Sequence, residues 1–134
     1  MRILLVGECL AHGRPGDALS PYPPAGSGGR LAKIFGLTAA EYLRRFDRMN
    51  LCDDVWDLKA ARLRADSVGH RRAVLLGRRV AEAFGVRYYP FEVFDVNSRL
   101  AAASLPHPSG RCRAWNEVGS AVRARRCLAA LEAL

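Results

Sequence analysis

The chain has almost no lysine, no long apolar run and no closely spaced cysteines, and each shortage narrows what it can be. Among its 134 residues no apolar stretch nears the roughly 20 that span a bilayer, so neither a membrane segment nor a membrane partner is expected. The opening MRILLVGE has one basic residue and a short apolar run broken at Gly7 and Glu8. That is too brief for a secretory leader and reads as a buried strand in a cytoplasmic protein. Cys9, Cys52, Cys112 and Cys127 form no C-x-x-C pair, so free thiols are expected, with no metal and no cofactor. Two lysines against nineteen arginines can come from codon usage, but a net charge of +8 cannot. That excess favours a polyanionic partner such as nucleic acid.

What is present suits one domain, 1–134, with no repeat, linker or low-complexity tail, and a monomer is expected. Ile3 to Val6 predicts a strand buried on both faces. A long glycine- and proline-rich segment follows, from Gly7 to Gly29, and a loop of that length in a small domain points to function. Ser27 is the expected cap of a helix carrying Leu31, Ile34 and Phe35, which Gly36 stops. Thr38 with Glu41 makes a capping box for a second helix to about Arg45. Phe46 to Cys52 predicts a strand, Leu58 to Val68 an arginine-rich helix, and Ala73 to Leu76 another strand. Arg78 to Phe84 then reads as a helix, and Tyr88 to Phe94 as an edge strand interrupted by Pro90. Leu100 to Leu105 is apolar, and Glu117 to Leu134 closes the chain as a helix. The alternation predicts a three-layer α/β/α fold around a mostly parallel, four-stranded central sheet.

The densest stretch is LPHPSGRCRAWN, Leu105 to Asn116, which holds a histidine, a hydroxyl, two arginines and a tryptophan. Two prolines and a glycine force it to turn after a strand. Loops that follow parallel strands gather on one edge of the sheet. Gly7-Glu8, Asn50 and His107-Pro108-Ser109 should therefore converge. Each also has a plain structural explanation: Glu8 capping a loop amide, Asn50 and His107 holding turns, and Trp115 packing on the core at a helix start.

ILLVGE, NLC and LPHPSG, in that order, resemble the motifs of the uracil-DNA glycosylase superfamily. The resemblance runs from Ile3 to about Asn116 and implies that superfamily's fold, a central four-stranded parallel sheet flanked by helices. It also implies cleavage of the N-glycosidic bond of uracil or a modified pyrimidine flipped out of DNA. On this resemblance Glu8 and His107 are the catalytic residues. His107 would donate to the developing pyrimidine anion, and Glu8 would orient a water or offset the positive sugar. Asn50 would read an amide face of the base, and the amides of Gly7 to Cys9 would bind its other carbonyl. Tyr22, near GSGGRLAKIFG, is the nearest candidate for a stacking aromatic. Ser109, Arg111 and Arg113 would hold the DNA backbone, and Trp115 would help fill the gap left by the extruded base.

The chain departs from those relatives after Gly-Glu. Where they continue with a small residue and Pro-Gly, or place Asp or Asn to manage water, this chain has Cys9, Leu10 and Ala11. A neutral thiol serves that purpose poorly. The iron-sulfur cysteines of some relatives have no counterpart, so no cluster is expected. A second reading is therefore a glycosylase-fold module that binds nucleic acid or a nucleobase without cleaving. A third is an enzyme of small nucleotides or glycosides, and a fourth is catalysis through Cys9. A basic rim of Arg14, Arg30, Arg111 and Arg113 around the cleft would favour DNA.

Overall fold

Strand β1 (Ile3–Gly7) is buried along its whole length and lies inside a five-stranded sheet. This computed structural model describes residues 2–9 and 17–134. Arg14, expected on the cleft rim, lies outside the described residues, as do Leu10 and Ala11. Helix α1 (Ser27–Ile34) and helix α2 (Ala39–Arg45) lead to β2 (Phe46–Asn50), which pairs parallel to β1. Helix α3 (Leu58–Asp66) crosses to β3 (Arg72–Leu76) on the other side of β1. Helix α4 (Arg78–Ala83) precedes β4 (Glu92–Asp95), and β5 (Ala101–Leu105) lies between β3 and β4. A short 3-10 turn (Arg113–Asn116) leads into α5 (Ser120–Glu132).

The sheet order is β2-β1-β3-β5-β4. The first four strands in that order are parallel, and β4 runs antiparallel to β5. The expected strand number of four is therefore corrected to five, while the mostly parallel α/β architecture stands. Alternation along the strands sorts the core into two faces. Ile3, Leu5, Val74, Leu76, Ala103 and Leu105 pack with α1, α2 and α5. Leu4, Val6, Ala73, Leu75 and Ala102 pack with α3 and α4. Helices thus cover both faces, as a buried parallel sheet requires.

Local chemistry fixes most of the boundaries. The Thr38–Glu41 capping box forms as expected, with reciprocal bonds of 3.1 Å, and these hold the Glu41 carboxyl below its usual range. Asp57 caps α3 through the amides of Lys59 and Ala60. Ser27 is not the cap of α1: that position falls to Gly26, and Ser27 is the first helical residue. The following Gly28 and Gly29 lie backbone to backbone against Leu19, Ser20 and Pro24, where no side chain fits. β4 starts at Glu92 rather than Tyr88, because Pro90 has no amide to give and Phe91 takes φ +66. The last helix starts at Ser120, after Gly119 in the left-handed region.

Leu19 links the first loop to the core. Its carbonyl accepts the Tyr42 hydroxyl at 2.8 Å, and its side chain lies against Gly7. Tyr42 is fully buried on α2, and burial pushes its hydroxyl pKa up. Arg48 on β2 donates to the neighbouring Ala18 carbonyl at 3.2 Å. Among the described residues no helix is long and apolar enough to cross a membrane.

Candidate active site at the carboxyl edge of the sheet

Chain order reverses direction between β1 and β3, since β1 is followed by β2 on one side and then by β3 on the other. In open α/β sheets the crevice at such a point, beyond the carboxyl ends of the strands, is the usual ligand site. Gly7 and Glu8 lie at one lip of this crevice, and Gly77 lies at the other. The β1–β2 ladder continues past the strands, with Leu51 N donating to Gly7 O at 3.0 Å and Cys52 N to Glu8 O at 2.9 Å. Glu8 therefore leaves the sheet on a fixed backbone.

Asn50 is the register partner of Gly7. A Cβ at Gly7 would stand 2.5 Å from Asn50 Oδ1, so only glycine leaves room for that amide. Arg64 of α3 donates to the Asn50 carbonyl at 3.3 Å and holds Asp53 at 3.0 Å. A cleft of about 440 Å³ opens beside Asn50, lined by Met49, Cys52, Asp53, Arg64 and Ser67 among others. That size is within the range of small-ligand sites.

Gly77 is the floor between Glu8 and His107. Its φ is +98, and a Cβ there would stand 3.4 Å from His107 Cβ and 3.5 Å from Glu8 Oε1. Its amide donates to Leu105 O at 2.8 Å, which ties this floor to the strand end carrying the histidine. On its other side the Glu8 carboxylate faces Arg79, with Nη1 to Oε2 at 3.9 Å. The Arg79 guanidinium also lies 5.9 Å over the Trp56 ring. Both Arg79 and Trp56 escaped sequence reasoning, for neither carries a motif and only the fold brings them to Glu8.

His107 has a defined tautomer. Ser109 N donates to Nδ1 at 3.2 Å, which leaves the proton of the neutral ring on Nε2. Burial lowers the His107 pKa, against a smaller opposing pull from Glu8. The ring is thus a neutral donor rather than a cation. Its carbonyl accepts the Trp115 indole N–H at 3.0 Å, and the Trp115 ring meets Phe91 edge-on at 5.6 Å. Trp115 is packed against the core and braces the loop from behind.

The remaining expected residues divide into two groups. Ser109 is half-buried beside His107, and Arg111 and Arg113 are exposed a few residues on. Arg30 of α1 reaches the same loop, since a Cβ at Gly110 would stand 2.7 Å from one of its guanidinium nitrogens. Part of the expected basic rim is therefore assembled by Arg30, Arg111 and Arg113. Tyr22 is 63% exposed, and its backbone amide bonds Ser20 Oγ at 3.2 Å rather than Glu8, Asn50 or His107. Cys9 meets the Cys52 thiol, and burial, with help from Cys52 and Glu8, pushes the Cys9 thiol up to about 11. It is protonated at neutral pH and a poor nucleophile.

Chemically, the carboxyl edge offers a neutral N–H donor and a carboxylate on either side of Gly77, and an amide beside Gly7 that both donates and accepts. The described residues include no cluster of three or more His, Cys, Asp or Glu suited to a metal ion. Compared with family profiles, curated proteins and solved structures, the chain finds no match in any of the three.

Proposed function

We propose that this chain is a DNA glycosylase of the uracil-DNA glycosylase kind, cleaving the N-glycosidic bond of uracil or a modified pyrimidine flipped out of DNA. The observation that carries this reading is the placing of Glu8 and His107 on either side of Gly77, with Asn50 against Gly7 at the neighbouring strand end. The four parallel strands β2-β1-β3-β5 suit the parallel sheet of that superfamily, with β4 added at one edge.

When the bond from the sugar to the base breaks, its electron pair goes to the base and a positive charge develops on the sugar. His107 Nε2–H is the donor for a pyrimidine carbonyl as it gains negative charge, and a neutral imidazole gives that bond without a competing proton transfer. Asn50 reads an amide face of the base through one acceptor and two donors. The amides from Gly7 to Cys9 take the other carbonyl. Glu8 offsets the sugar charge and orients the water that completes hydrolysis. Ser109, Arg111 and Arg113 hold backbone phosphates.

Release of free uracil from a uracil-containing oligonucleotide tests the proposal. Release should fall about a hundredfold or more in His107→Ala and in Asn50→Ala, as for loss of an electrostatic donor. No release from uracil, 5-substituted uracils or deaminated purines overturns it. One observation favours a second reading, a module that binds without cleaving: the protonated Cys9 thiol stands where a water-managing group is wanted. In that case DNA binding persists with steep salt dependence, and no base is released.

A further inference from the structure

Because β4 runs against β5 and starts opposite Ser104, residues 86–91 must climb back to the carboxyl edge of the sheet. Phe91 N completes that climb by donating to Ser104 O at 2.7 Å. The segment carries Arg87, Tyr88 and Tyr89 up beside the candidate site. Arg78, the residue after Gly77, lays its guanidinium 5.0 Å over the Tyr88 ring. Arg87 donates to the Tyr89 hydroxyl at 3.4 Å, and Tyr89 is 51% exposed. Cys112, which stands between Arg111 and Arg113 in the chain, lies close enough to Tyr88 to add to the effect of burial in raising its hydroxyl pKa.

Arg78, Arg87, Arg111 and Arg113 have no carboxylate within ion-pair distance among the described residues, whereas Arg2, Arg45 and Arg64 each have one. Across the crevice the loop between β2 and α3 carries Asp53, Asp54 and Asp57. Asp53 is paired with Arg64 and Asp57 caps α3, so the α4 side, with its guanidinium groups free of carboxylates, is the more basic one and favours a polyanion. Unpaired guanidinium groups interleaved with tyrosine rings are the combination that holds single strands, the arginines following phosphates and the rings stacking on bases. A duplex keeps its base faces stacked and offers nothing to an exposed ring.

We propose that the strip formed by Arg78, Arg87, Tyr88, Tyr89, Arg111 and Arg113 binds the single-stranded DNA that flanks the base held at His107. The place of that base rests on the function proposed above, but binding by the strip needs no base release. Fluorescence anisotropy with a uracil-free single strand of about 15 nucleotides, and with its duplex, therefore separates the two ideas. The single strand should bind more tightly than the duplex. Tyr89→Ala should weaken single-strand binding about fivefold or more and leave duplex binding unchanged, with the melting temperature preserved. Arg78→Ala and Arg87→Ala should each reduce the single-strand salt slope by about 0.7, and Arg62→Ala on α3 should not. The proposal is overturned by wild-type single-strand affinity in Tyr89→Ala, by equal losses in Arg62→Ala, or by no binding at low salt. An acidic peptide that competes as well as an oligonucleotide of equal charge would assign the strip to a protein partner instead.

Discussion

Trp115 holds the carbonyl of His107 at 3.0 Å from eight residues further along the chain, so the ring behind the loop fixes the imidazole in front of it. Trp115→Phe keeps an aromatic ring against Phe91 and removes the donor together with part of the packed indole. Loss of that bond should cost about 1 kcal/mol in urea denaturation. Base release should fall by more than this stability change explains, while DNA affinity stays level. A drop in affinity with an unchanged rate would instead assign Trp115 to the gap left by an extruded base.

The lowered His107 pKa has a signed consequence for pH. Burial disfavours the imidazolium in the folded chain, so the unfolded chain binds a proton more readily. Stability from this group is present above the unfolded value of about 6.5 and is lost as pH falls toward the lower folded value. In an NMR titration the His107 ring should titrate below 6.5. His107→Gln should flatten the acid side of the stability profile. A midpoint above 6.5 would mean that Glu8 outweighs burial and that the ring is charged at work.

Two glycines should respond in opposite directions. Gly7→Ala drives a methyl into Asn50 Oδ1 and the Leu19 side chain, and overpacking of this kind costs about 1–3 kcal/mol. Any base release should lose its preference for uracil along with the displaced amide. Gly69 has no atom within 4 Å of a built Cβ and no positive φ, so Gly69→Ala should be neutral or stabilising by up to about 1 kcal/mol. Paired thermal melts decide both.

Cys9 should alkylate slowly at neutral pH and accelerate about tenfold per pH unit until near 11, where its thiol ionises. Iodoacetamide labelling followed by peptide mass mapping reads the rate. Fast labelling at pH 7 would restore cysteine catalysis as a serious reading.

Much of this fold could be read locally. The Thr38–Glu41 box, the buried run of β1 and the glycine that opens α4 each act within a few residues, and each was legible. The convergence of Gly7 with Asn50 also followed from strand ends alone, because a parallel register carries it. The edge strand was legible in its residues, but its start, its direction and the total of five were not, since pairing depends on partners far away in sequence. Gly77 read only as a turn, because its value lies in the carboxylate and imidazole on either side. Arg79 had no signal at all: it is one of two adjacent arginines at a helix start, and only its neighbours distinguish it.

The bond between Tyr42 and Leu19 bears on how the site opens. Leu19 rests on Gly7 while its carbonyl accepts from a fully buried ring, so the Gly7 lip of the crevice cannot loosen without disturbing α2. Local opening and core unfolding become one cooperative event here. In hydrogen exchange, the amides of Leu51 and Cys52, which bond Gly7 and Glu8, should be protected to nearly the same free energy as the central strands. Tyr42→Phe should release them early, and a pocket that now exchanges with the core would begin to exchange as a loop.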